Sequence, residues 1–94
     1  MESFHNELTD KLMDTIANLK SKKDCYDFFE DLCTIKEILD MSKRLEAAKL
    51  LNKGNNYKVV IEKIGLSSAT LSRVSRALNY GKGGYIKAIK SKGE

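Results

Sequence analysis

Between positions 67 and 76 the chain reads Ser-Ser-Ala-Thr-Leu-Ser-Arg-Val-Ser-Arg, short hydroxyl side chains followed by two of the protein's three arginines. Small polar groups at the start of a helix let its backbone approach a partner closely, and arginine can hold a phosphate or pair with guanine. Recognition of a polyanion is the chemistry these residue types suit. Catalysis lacks its parts: His5 is the single histidine, near the N-terminal end, and it completes no Ser/His or Cys/His nucleophile arrangement. Cys25 and Cys33, eight positions apart, match no metal-ligand spacing. They are expected as small core hydrophobes in a reduced, cytoplasmic setting, with no metal and no cofactor.

The elements that must position this run are legible on either side of it. Residues 57–64 make about two helical turns, Gly65-Leu66-Ser67 interrupts them, residues 68–78 resume a helix, and Asn79-Tyr80-Gly81 ends it. Helix, glycine turn and second helix over residues 57–79 form a helix-turn-helix. Gly65 supplies the positive φ at the exit of the first helix. Leu66 plugs the gap, Ile64, Leu71 and Val74 close a small core, and Ser67 (or Ser68) caps the second helix. The outward face then carries Ser68, Ala69, Ser72, Arg73 and Arg76. Ser67, Ser68, Ala69, Thr70 and Ser72 are candidate contacts at base edges or the helix start, with Arg73, Arg76 and Lys58 nearer phosphates or guanine. Ile61 stands where such motifs usually have alanine, which calls for either a wider crossing of the two helices or a compensating small partner such as Ala69.

Charge is divided in the same way. Residues 1–48 hold seven Lys+Arg against eleven Asp+Glu, a net −4, while residues 49–94 hold ten against two, a net +8. The overall +4 therefore averages an acidic half and a basic half suited to a polyanion. Ninety-four residues, 41% hydrophobic and without proline, suffice for one small, mostly helical domain over residues 1–94. No apolar run is long enough for a membrane helix, and the N-terminal residues lack the layout of a signal peptide.

A first amphipathic helix is expected over residues 6–19, with Leu8, Leu12, Ile16 and Leu19 on one face. Asp24 is the expected cap of a short second helix carrying Cys25, Phe28, Phe29 and Leu32. Thr34 and Glu37 have the spacing of a capping box, opening a helix of about twenty residues that ends at Gly54. Its apolar positions Ile38, Met41, Leu45, Ala48 and Leu51 add to a surface too large for so short a chain to hide. Residues 5–54 therefore read as a dimerisation core. Residues 82–94 are a basic tail in which Tyr85, Ile86 and Ile89, among Lys82, Lys87, Lys90 and Lys92, could form a short helix, but the expectation is an end that is mobile without DNA and makes auxiliary backbone contact with it.

Several of these segments, in order, resemble the Trp repressor-like proteins: residues 32–37, residues 43–51, Gly54, and Ser68-Ala69-Thr70-Leu71-Ser72-Arg73. Residues 76–85, Arg-Ala-Leu-Asn-Tyr-Gly-Lys-Gly-Gly-Tyr, look like the YerC/YecD-type branch of that family. The resemblance spans roughly residues 24–85. It implies an all-α, intertwined homodimer with two helix-turn-helix heads on double-stranded DNA, addressing half-sites of a roughly palindromic operator. By position, Thr34, Arg44 and Arg73 correspond to the effector pocket of the tryptophan-binding relatives. Two other positions depart from it: Val74 replaces a glycine that admits the indole, and Ala77 replaces a serine that accepts from the ammonium group. Tryptophan is therefore not expected as effector, the effector is left unknown, and Thr34 is expected as a helix cap and Arg44 as a salt-bridge partner.

Two other classes compete with a DNA-binding regulator. Small helical dimers include chorismate mutases, which surround a dianion with several arginines; this chain has Arg44, Arg73 and Arg76, two of them on the proposed reading helix. A helical protein-interaction module is the stronger rival, separable from DNA binding by its salt dependence.

Overall fold

A computed structural model describes residues 3–90. Every regular element among them is helical: α1 (Glu7–Ala17), α2 (Lys22–Leu32), α3 (Ile35–Asn52), α4 (Tyr57–Ile64), α5 (Ser68–Tyr80) and α6 (Gly84–Lys90). Among the described residues no helix is long and apolar enough to cross a membrane. The chain divides into two compact units, one up to Ile38 and one from Leu39 onward. The sequence pattern suggests a division at Gly54. It falls inside α3 because Ala47 and Ala48, in the second half of that helix, are buried in the core of the second unit.

In the first unit each helix start is fixed by side-chain capping. Asn6 Oδ1 accepts from the Thr9 N–H at 2.9 Å and Thr9 Oγ1 accepts from the Asn6 N–H at 2.8 Å, a reciprocal box at the head of α1. α2 begins earlier than expected. Ser21, not Asp24, is its cap, with Ser21 Oγ accepting from the Asp24 N–H at 3.0 Å. Serine caps as well as aspartate, and Lys22 and Lys23 are good helix formers, so the helix gains a turn. Lys23 then pairs with Asp27 one turn on, at 2.6 Å. The Thr34–Glu37 box is present: Thr34 Oγ1 accepts from the Glu37 N–H at 3.1 Å, and Glu37 Oε1 accepts from the Thr34 N–H at 2.8 Å.

None of the described residues of this unit is buried. Leu8, Met13, Tyr26, Leu32 and Ile35 are all more than half exposed. Phe28 and Phe29 meet edge to face, 5.4 Å between ring centroids, and are only half-buried. Cys25 is exposed and Cys33 half-buried, which corrects the expectation of buried core cysteines. Their helix carries more apolar surface than the unit can cover.

The second unit has a core. α3 ends in a turn in which Gly54, at φ +98°, and Asn55 donate to the carbonyls of Leu51 and Leu50. Asn56 caps α4, its Oδ1 accepting from the Val59 N–H at 3.0 Å. Ala47, Ala48, Val60, Leu71, Val74 and Ile89 form the buried cluster, with Leu50, Leu51, Ile61, Ile64, Leu66 and Tyr85 packed against it. Burying a side chain such as Val60 or Leu71, each 0% exposed, contributes about 1.5–3 kcal/mol. Ile61 is half-buried and packs against this cluster, while Ala69 is exposed. The small buried residues of the cluster on which Ile61 packs are Ala47 and Ala48 of α3. α6 supplies Ile89, which corrects the expectation of a mobile tail over residues 84–90: burial of that side chain docks the helix on the core; Lys92 lies outside the described residues.

Candidate nucleic-acid interface

α4, the turn and α5 are set by short-range chemistry. Gly65 closes α4 at φ +81°, its N–H donating to the Ile61 carbonyl at 2.9 Å. That left-handed conformation penalises a β-carbon, which is why glycine stands there. Ser67 is the cap of α5. Its Oγ accepts from the Thr70 N–H at 3.1 Å and donates to Thr70 Oγ1 at 3.0 Å. The Ser67 hydroxyl proton is therefore committed within the turn, and its role is to hold the helix start rather than to offer a free donor. At the other end Gly81 donates to the Ala77 carbonyl at 2.9 Å, and a β-carbon at position 81 would collide with that same oxygen.

α5 presents three faces. Leu71, Val74 and Leu78 turn inward, the first two buried and the third half-buried. Ser68, Ala69, Ser72, Arg73 and Arg76 are all exposed. Ala69, Ser72, Arg73 and Arg76 stand at i, i+3, i+4 and i+7, one continuous stripe. Lys58, on the first turn of α4, is exposed as well. Small side chains at the helix start and guanidiniums farther along form a surface that can come close to a groove and grip its edges.

The third face of α5 forms a wall of a cleft of about 340 Å³. Thr70, Arg73, Val74 and Ala77 line it from α5, Arg44 from α3 and Tyr85 from α6. Val74, 2% exposed, is its floor, while Arg44, Arg73 and Ala77 are exposed at its rim. Arg44 and Arg73, expected near one another from the family resemblance, thus line one cavity. Thr34 belongs to the first unit, where its hydroxyl caps α3. Arg44 makes no ion pair among the described residues, and its side chain lines the cleft. Tyr85 was not a site candidate in the sequence. Its position four before Ile89, after Gly83-Gly84, is the signal of a short amphipathic helix, though not of what that helix packs against.

Among the described residues no group of three or more His, Cys, Asp or Glu could hold a metal ion. The site's chemistry is that of donors and positive charge.

Comparison with known proteins agrees with this arrangement. The family model for the Trp repressor protein matches residues 7–92. The uncharacterised protein YerC of Bacillus subtilis (strain 168) is 48% identical over 89 residues, covering 95% of this chain and 86% of that protein. A crystal structure of a TrpR-like protein from Eubacterium eligens ATCC 27750 superposes with a TM-score of 0.90 at 45% identity, covering 94% of this chain and 91% of the other. A Staphylococcus aureus protein, described as a candidate Trp repressor, gives the same TM-score at 37% identity, over 95% and 89% of the two chains. That family is one of regulators and not of enzymes, and with a match along nearly the whole chain, carried through the Gly65 turn and α5, the protein belongs to the Trp repressor-like family, in its YerC-type branch.

Proposed function

We propose that the protein is a sequence-specific DNA-binding transcriptional regulator that acts in the cytoplasm as a homodimer. The observation that carries this reading is the exposed stripe of α5, Ala69, Ser72, Arg73 and Arg76, held by the Gly65 turn and the Ser67 cap. α5 enters the major groove with Ser68, Ala69, Thr70 and Ser72 toward base edges. Arg73, Arg76 and Lys58 take phosphates or guanine, and Ser67 fixes the helix start against the backbone.

The dimer is supported by the first unit, which buries no described residue while exposing Leu8, Met13, Tyr26, Leu32 and Ile35. A second copy of the same unit is a self-complementary cover for such a surface. Two heads related by a two-fold axis read two half-sites about one helical turn apart, roughly 34–36 Å, so the operator is palindromic. Occupancy of such a site near a promoter represses it. Tryptophan is not the effector: Val74 fills the floor of the cleft and Ala77 offers no acceptor for an ammonium group.

Selection of duplexes from a random pool by the purified protein tests this function. An enriched palindrome with half-sites about ten base pairs apart is expected. Failure to enrich any motif overturns DNA recognition and favours the protein-interaction module.

A further inference from the structure

The cleft beside the reading helix has an unusual inventory. Its polar groups are the guanidiniums of Arg44 and Arg73 and the hydroxyls of Thr70 and Tyr85; Val74 and Ala77 complete it. Among the described residues no carboxylate lines it, so a ligand's ammonium group meets no counter-charge from them, whereas an oxyanion meets donors from three helices. Neither arginine makes an ion pair among the described residues. Thr70 Oγ1 accepts from Ser67, which leaves its own proton free to donate outward.

Position decides which oxyanion. Through that Ser67–Thr70 bond the cleft adjoins the first turn of α5, the part that enters the groove in the proposed function. Arg73 belongs at once to the exposed stripe and to the cleft wall. A phosphate flanking a groove occupied by α5 lies next to the cleft mouth. Guanidinium forks match phosphate oxygens in pairs, and a group gripped from α3 and α5 together sets the tilt of the reading helix.

We infer that the cleft receives a backbone phosphate of the DNA itself, clamped between Arg44 and Arg73 with Thr70 and Tyr85 as further donors, so that operator binding needs no small-molecule effector. The inference rests on the DNA-binding reading and adds to it a site at which Arg44, remote in sequence from the helix-turn-helix, acts on DNA. Occupancy by the nucleic acid makes affinity independent of metabolite supply, with regulation left to the protein's concentration.

The test measures binding of the full chain to the enriched duplex and to an unrelated duplex by fluorescence anisotropy across a sodium chloride series, with no added ligand. Arg44→Ala should weaken both duplexes by the same factor, roughly tenfold or more at fixed salt. It should also lower the slope of log K against log salt by about 0.9 per head. Arg44→Gln, which keeps a polar side chain, should behave like alanine, and Arg44→Lys should restore the slope while recovering only part of the affinity. Tyr85→Phe should cost affinity without changing the slope. An unchanged slope for Arg44→Ala and Arg44→Gln, in a wild type that binds DNA, overturns the clamp and leaves the DNA-binding function standing. A wild type that binds its duplex only after a small carboxylate such as an amino acid or a 2-oxo acid is added also overturns it, by making the cleft an effector site. A wild type that binds no duplex removes both readings together.

Discussion

Ile35→Ala separates an apolar surface meant for a second copy from one left idle. Ile35 is 73% exposed at the first position of α3, directly after the Thr34 cap. Full burial of an isoleucine side chain is worth about 1.5–3 kcal/mol, so covering the exposed fraction contributes about 1–2 kcal/mol in each subunit. A two-fold interface uses the residue twice, for about 2–4 kcal/mol per dimer. Truncation to alanine forfeits most of this, and the dimer dissociation constant should rise roughly ten- to several-hundredfold. The substitution leaves the helix itself intact: alanine is a good helix former, and the reciprocal Thr34–Glu37 bonds involve no atom of the Ile35 side chain. Sedimentation equilibrium over a range of concentrations reads the constant, with far-ultraviolet circular dichroism as the control for helix content. A monomeric wild type, or an Ile35→Ala dimer as tight as the wild type with helix content unchanged, would refute the reasoning.

Three further outcomes follow from the head. Gly65→Ala should destabilise the protein by about 1–2 kcal/mol in urea through its positive φ alone, because a β-carbon there meets nothing within 4 Å; an unchanged midpoint would contradict the left-handed turn. Arg76→Ala, at an exposed position, should leave stability unaltered and weaken operator binding by about 1–3 kcal/mol if the guanidinium pairs with a base, as an anisotropy titration will show. Equal affinity of this variant and the wild type removes Arg76 from the interface. Isothermal calorimetry with tryptophan at physiological concentration should register no binding, and a measurable heat would mean that Val74 yields the floor of the cleft to an indole.

Much of the architecture is legible in single residues because local chemistry determines it. The Thr34–Glu37 box, the ends at Gly54 and Gly65 and the Ser67 cap each depend on atoms within a few positions, and each is where the spacing predicts. The start of α2 shows the limit of that logic. Ser21 and Asp24 are both competent caps three residues apart, and the choice falls to the one whose following lysines extend the helix. Other features depend on groups far apart in the chain. Ile61 packs against a cluster that includes Ala47 and Ala48, brought in by α3 from outside the helix-turn-helix, which no pattern within residues 57–79 specifies. Tyr85 joins Arg44 at one cleft only because Ile89 anchors α6 in the core, a contact that no spacing rule along residues 82–90 specifies. Cys25, apolar in its sequence surroundings, is exposed because its helix has too few partners within one chain.

The regulator reading rests on α5 approaching DNA as a cationic surface, and salt addresses that claim directly. Affinity of the purified protein for its enriched duplex, measured from low to high sodium chloride, should fall as a straight line of log K against log salt, since each phosphate neutralised releases condensed counterions. A steep negative slope, steeper for the wild type than for Arg76→Ala or Arg44→Ala, is the predicted result. An affinity that is flat in salt would contradict it, and would assign the exposed stripe of Ala69, Ser72, Arg73 and Arg76 to a protein partner instead.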